Sequence, residues 1–194
     1  MVLPISVLSS VTSALEKLKI RYVLVGSFAS SIHGLYRATA DIDILTDVSA
    51  EHIGPLYKAL NETFYVDELA MRNAIARGQS FNAIHFNSVF KVDFFVASTD
   101  EFAVSQLDRR QSRALSPDRP DEVFVATAED TVLAKLRWFR AGSESSKNQW
   151  NDVLGIISVA RDELDTTYLQ TWAERLGVDD LLQRALDEAQ SQDS

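Results

Sequence analysis

The chain has 194 residues, 46% of them apolar and 24% charged, which suits one domain of ordinary size or one domain with a small helical annex. It contains no cysteine, excluding disulfides and thiolate metal sites, and no apolar run of about 18 residues, excluding a membrane-spanning helix. The formal net charge is −9, of which residues 163–194 carry −6 and residues 1–162 only −3, so the acidity sits in the tail and the chain is a poor generic nucleic-acid binder.

The N-terminus lacks a basic start and a small-residue cleavage site, so it reads as a helix and not as a signal peptide. The expected location is the cytoplasm. Ile5, Leu8, Val11, Leu15 and Leu18 recur at helical spacing and predict an amphipathic helix over 5–19. Tyr22–Val25 reads as a short buried strand. Ser27–Gly34 reads as a helix that Gly34 stops, and Ile42–Leu45 as the next strand. Ser49 is a cap candidate, with Glu51 in the first turn of a helix reaching about Asn61. No element is assigned between 62 and 80. "FNAIHF" at 81–86 and "VFKVDFFV" at 89–96 flank Asn87-Ser88 and predict an antiparallel hairpin.

A helix follows near 101–110. The stretch "SRALSPDRPDEVFVAT" reads as a loop and short strand with two prolines. Thr127-Ala-Glu-Asp130 resembles a capping box. From there the pattern is helical only, over about 128–141, 146–161, 166–176 and 179–190. The expected fold class is α+β: a mixed-sheet core over 1–126 flanked by helices, and a helical part over 127–194. No flexible linker separates them, so they are expected to pack as one unit.

The chemistry begins at "YVLVGSFASSIHGLYRATADIDILTD". Residues two apart on a strand share a face. Ile42 and Ile44 then point into the core, and Asp41 and Asp43 point the other way. Unless solvent screens them, something positive must sit between two such carboxylates, and a divalent cation such as Mg²⁺ fits their oxygens. In "KVDFFV", Val92, Phe94 and Val96 form one face and Lys91, Asp93 and Phe95 the other. If this strand lies beside Ile42–Leu45, Asp93 joins Asp41 and Asp43. Three carboxylates can hold two metals, the arrangement that suits in-line phosphoryl or nucleotidyl transfer. Gly26-Ser27, where strand hands over to helix, can cradle a triphosphate on free backbone N–H groups and a hydroxyl. The plainer reading of Asp41-Ile-Asp43 is an exposed strand end.

The ordered set is Gly-Ser, a short helix, Arg37-x-Thr39-x-Asp41-x-Asp43, and a later strand carrying Asp93. It resembles the DNA polymerase beta-like nucleotidyltransferase superfamily. "RATADIDIL" is similar to the minimal and AbiEii-like toxin nucleotidyltransferases, as is "EDTVLAKLRWFRAGSESSKNQWNDVLGII" to their helical segment. The resemblance covers about residues 20–160, and more loosely the tail to 190. It implies that Asp41, Asp43 and Asp93 bind two Mg²⁺ ions, with Asp93 favouring deprotonation of the attacking hydroxyl. Gly26 and Ser27 then hold the triphosphate of an NTP, Lys135 neutralises phosphate charge, and Arg37 orients the loop or the nucleotide. Thr39 and Asp152 are supporting candidates, with Asp152 either orienting Lys135 or serving structure. The alternative for Lys135 is an ordinary exposed helix lysine.

The reaction so implied moves a nucleoside monophosphate to an acceptor hydroxyl on tRNA, a protein or a small molecule such as an aminoglycoside. An antitoxin partner would accompany a toxin role, and no membrane is involved. Residues 109–147 contain eight Lys or Arg, including Arg137, Arg140 and Lys147, which read as solvated faces or as an RNA contact. His33, His52 and His85 receive no role, and Trp138, Trp150 and Trp172 read as core. The rivals are a catalytically inactive nucleotide-binding or interaction protein of the same fold, and a metal-dependent nuclease using the same acids.

Overall fold

The structure is a computed structural model and describes residues 5–34, 39, 41–97, 100–116 and 119–191. Its helices are α1 (Ile5–Lys17), α2 (Gly26–His33), α3 (Ile53–Leu60), α4 (Glu68–Arg77), α5 (Glu101–Arg109), α6 (Ala128–Ala141), α7 (Lys147–Ala160), α8 (Thr166–Leu176) and α9 (Asp179–Ser191). The strands are β1 (Tyr22–Val25), β2 (Asp41–Thr46), β3 (Phe64–Val66), β4 (Ser80–His85), β5 (Lys91–Val96), β6 (Gln111–Ser116) and β7 (Arg119–Val125). They form a seven-stranded mixed sheet in the order β3-β4-β5-β2-β1-β7-β6. The β2–β5 and β1–β7 pairs are parallel and the other neighbours antiparallel. The α+β class with a mixed sheet is therefore the observed one.

The chain forms two compact units. The first holds α1, α3, α4, α5 and the whole sheet. Its core follows from alternation in the central strands: Ile42, Ile44, Val92 and Phe94 are fully buried, while the residues between them are partly exposed. Val7, Leu8, Val11 and Leu15 of α1 are likewise buried, which is the stripe that its helical spacing predicts. The hairpin forms where expected. His85 N–H donates to the Phe90 carbonyl at 2.9 Å, and Val89 takes a left-handed φ of 55° at the turn.

Two stretches differ from expectation. Residues 62–80 contain β3 and α4, the helix capped by Asp67 accepting from Ala70 N–H at 2.9 Å and ended by Gly78 at φ 60°. The stretch 112–127 is largely a hairpin of β6 and β7. Pro120 lies at the start of β7, a position where a missing ladder donor costs little; Pro117 lies outside the described residues.

The second unit holds α2 with α6–α9, so α2 groups with the C-terminal helices although it lies between strands in the chain. All four C-terminal helices occur within a residue or two of their expected bounds. Gly34, directly after α2, meets α7 closely: a Cβ there would come within 2.9 Å of Ile156 N and 3.0 Å of Gly155 C. Thr127 caps α6, accepting from Asp130 N–H at 3.1 Å, and the buried Asp130 carboxylate accepts from the Tyr168 hydroxyl at 2.6 Å. Trp150 is buried and Trp172 half-buried, but Trp138 is 61% exposed, a correction to its expected core place. It sits between Arg137 and the buried Phe139, on the outer side of the last turns of α6. No helix among the described residues is long and apolar enough to cross a membrane.

Candidate active site

The parallel pairing of β2 and β5 decides the geometry. Its register sets Asp43 opposite Asp93 and Asp41 opposite Lys91. Paired residues on neighbouring strands share a face, so all three aspartates lie on the side away from Ile42, Ile44, Val92 and Phe94. The hairpin's aspartate thus shares a face with the other two. The row extends across four strands as Val25, Asp43, Asp93 and Asn82.

Two carboxylates directly opposite each other in the middle of a sheet work against pairing. At the spacing of neighbouring strands the repulsion is about 3 kcal/mol for an effective dielectric near 20. A positive charge relieves it here. Lys91 Nζ lies 2.7 Å from Asp93 Oδ2 and 3.9 Å from Asp41 Oδ1. The Lys91 ammonium is held above the ordinary lysine range, first by its hydrogen bond to Asp93 and further by the charges of Asp93, Asp41 and Asp43, against the opposing effect of burial. Thr39 fixes the entry to β2: its hydroxyl donates to the Asp41 carbonyl at 3.1 Å and accepts from Asp41 N–H at 3.3 Å.

Among the described residues no three His, Asp or Glu side chains are already gathered into a metal cage. The fit of a cation therefore rests on the donors. They are oxygen-only carboxylates, partly exposed, with an ammonium already drawn among them, and this chemistry fits a hard divalent ion such as Mg²⁺.

Gly26, Ser27 and Lys135 belong to the helical unit. Gly26 and Ser27 open α2, and Gly26 adopts φ 63°, a left-handed conformation that favours glycine. Lys135 is not an exposed helix lysine. It is 4% exposed, and its ammonium donates to Asp152 Oδ2 at 2.7 Å and to Gln149 Oε1 at 3.2 Å. Arg37 lies outside the described residues. The bases of 109–147 are partly spent on structure: Arg140 pairs with Asp180 and Glu144, and Arg110 stacks over the Phe124 ring. A hollow of about 170 Å³ beside Tyr22 and Arg110 is smaller than the roughly 300 Å³ at which small-molecule pockets begin.

Two residues of this face were not assigned a role from sequence. Asn82 lies opposite Asp93 on β4, and Lys91 bridges the acids. The i, i+2 spacing of Lys91 and Asp93 was the available signal for the second. Nothing local points to Asn82, whose place depends on the hairpin register.

The fold is that of nucleotidyltransferase-like proteins. An antigenic nucleotidyltransferase-like protein from Paracoccidioides brasiliensis superposes with a TM-score of 0.56 at 18% identity, over 94% of this chain and 91% of that one. A putative nucleotidyltransferase from Thermotoga maritima gives 0.51 at 16% identity, over 78% of this chain and 96% of the other. ANT(2'')-Ia in complex with adenylyl-2''-tobramycin gives 0.52 at 11% identity, over 88% and 95%. No family model matches the sequence, and no curated protein does.

Proposed function

We propose that the chain is a Mg²⁺-dependent nucleotidyltransferase that moves a nucleoside monophosphate from an NTP to an acceptor hydroxyl and releases pyrophosphate. One observation carries this reading: Asp43 stands directly across from Asp93 on adjacent parallel strands, with Asp41 on the same face. A sheet that sets like charges opposite each other at its centre gives up stability there, and a reaction that needs those charges explains why.

Asp41, Asp43 and Asp93 are the residues that would hold two Mg²⁺ ions. When bound, such ions stabilise the negative charge on the attacking and leaving oxygens of an in-line displacement. Asp93 favours loss of the acceptor's hydroxyl proton. Gly26 and Ser27 receive the triphosphate through the N-terminal amides of α2, Gly26 leaving room for a close approach. Thr39 supports Asp41 through its backbone. Asp152 orients the Lys135 ammonium, and the phosphate-neutralising role of Lys135, like the role of Arg37, rests on the resemblance alone. So does a toxin role with an antitoxin partner.

For the acceptor, a small molecule is the reading best supported. The net charge is −9, two of the cations between 109 and 147 are engaged in ion pairs, and ANT(2'')-Ia, of similar fold, is in complex with adenylyl-2''-tobramycin. The test incubates the full chain with Mg²⁺ and each labelled NTP against aminoglycosides, cell RNA and cell protein. Transfer that Asp43→Ala abolishes supports the proposal. Nucleotide binding with no transfer to any acceptor, unchanged by Asp43→Ala, favours an inactive binding protein of this fold.

A further inference from the structure

The carboxylate face already contains a cation of its own. Lys91 Nζ sits 2.7 Å from Asp93 Oδ2 and 3.9 Å from Asp41 Oδ1, and Asp41 is its register partner. An ammonium bonded to Asp93 and an ion coordinated by the same carboxylate oxygens compete for the same lone pairs. The Lys91 side chain is 39% exposed and that of Asp93 21%, so the pair is partly hydrated. Such pairs are worth little to stability, typically under about 1 kcal/mol. A divalent ion interacts with each carboxylate about twice as strongly as an ammonium at equal distance. The Coulomb term of the exchange therefore favours the divalent ion, which can keep part of its water shell at this partly exposed site, and the four-carbon lysine stem lets the ammonium swing away without disturbing β5.

We propose that Lys91 is an internal counter-cation, which holds Asp41 and Asp93 together in the metal-free protein and which the incoming divalent ion must displace. This rests on the functional reading above. Lys91 then positions the acids without touching substrate, and it sets the metal affinity of the site. Removing its charge takes this cation away from Asp41 and Asp93 and raises that affinity, while a charged replacement keeps it low.

The experiment measures Mn²⁺ binding to the full chain by electron paramagnetic resonance, without nucleotide, for wild type, Lys91→Met, Lys91→Arg and Asp43→Asn. Lys91→Met is expected to bind Mn²⁺ roughly tenfold more tightly than wild type, with Lys91→Arg near wild type. Equal or weaker binding by a folded Lys91→Met overturns the proposal. Should Lys91→Met fail to fold, wild type alone decides: amine acylation of Lys91, read by mass spectrometry, rises with Mg²⁺ if the ammonium is released. Acylation that Mg²⁺ leaves unchanged or lowers overturns it. The functional reading fails separately. If Asp43→Asn binds Mn²⁺ as well as wild type, or no variant binds it, the carboxylates are not a metal site and both ideas fall. If Asp43→Asn loses binding while Lys91→Met equals wild type, only the role of Lys91 falls.

Discussion

The two units each contain a lysine–aspartate pair at 2.7 Å, Lys91–Asp93 on the sheet and Lys135–Asp152 between α6 and α7. Their surroundings are opposite. The helical pair is 6% and 9% exposed, and the sheet pair 39% and 21%. Burial decides what the same contact is for. In the helical unit neither charge has water to fall back on, so the pair is a fastener whose separation strands a charge. On the sheet, water and further carboxylates surround the pair, so its partners can be exchanged at little cost.

The largest expected effect falls on the sheet. Asp43→Asn should lower transfer about 10³-fold or more, since it removes several kcal/mol of transition-state stabilisation. It should cost less than about 1 kcal/mol of stability, because it also removes a like-charge opposition. A matched loss of stability and activity, read by urea unfolding beside the transfer assay, would erase the contrast between the two pairs.

The helical pair should behave in reverse. Asp152→Ala is expected to cost about 3–5 kcal/mol by leaving Lys135 charged and buried. The double variant Lys135→Met with Asp152→Leu should recover most of that, since an apolar pair of similar volume replaces the buried ions. If each single change costs under about 1 kcal/mol in urea, the pair is no fastener and the proposed phosphate role of Lys135 gains ground.

Gly34→Ala sharpens the comparison within the helical unit. Its Cβ would press on the α7 backbone at Ile156, and backbone cannot swing aside as a side chain can. A loss of about 1–3 kcal/mol is expected, with no change in Mn²⁺ binding.

The smallest effect belongs to the sheet unit in alkali. The buried Tyr22 hydroxyl donates to Glu16 Oε1 at 2.9 Å. Burial first, then the bond to Glu16 and its charge, push its pKa above the ordinary tyrosine value. The folded state thus holds the proton more tightly than the unfolded chain. The resulting stability is complete below pH about 10 and is lost as pH rises toward the folded value. Tyr22→Phe should flatten the fall in urea midpoint between about pH 10 and 12. The raised Lys91 contributes a fall in the same window, so Tyr22→Phe should reduce the slope and not abolish it.

Local pattern made much of this legible. The helical spacing of Ile5, Leu8, Val11 and Leu15 marked α1, the capping threonine at 127 marked α6, and alternation in "DIDIL" and "KVDFF" separated core side chains from acids. Elements with weaker signals went unread. β3 is three residues long, too short for a period to show, and α4 has only Met71 and Ala74 buried. β6 and β7 were obscured by the two prolines of that stretch, which read as loop.

The chain alone determined that three aspartates alternate with core residues, because side-chain direction along a strand follows from two-residue periodicity. That β2 and β5 lie side by side, in the register that sets Asp43 against Asp93 and Asp41 against Lys91, was decided by tertiary pairing. A slip of one residue would have turned every acid to the other face. The burial of Lys135 was likewise a matter of assembly, since its partner is 17 residues away on another helix and no pattern within α6 distinguishes a fastened lysine from a solvated one.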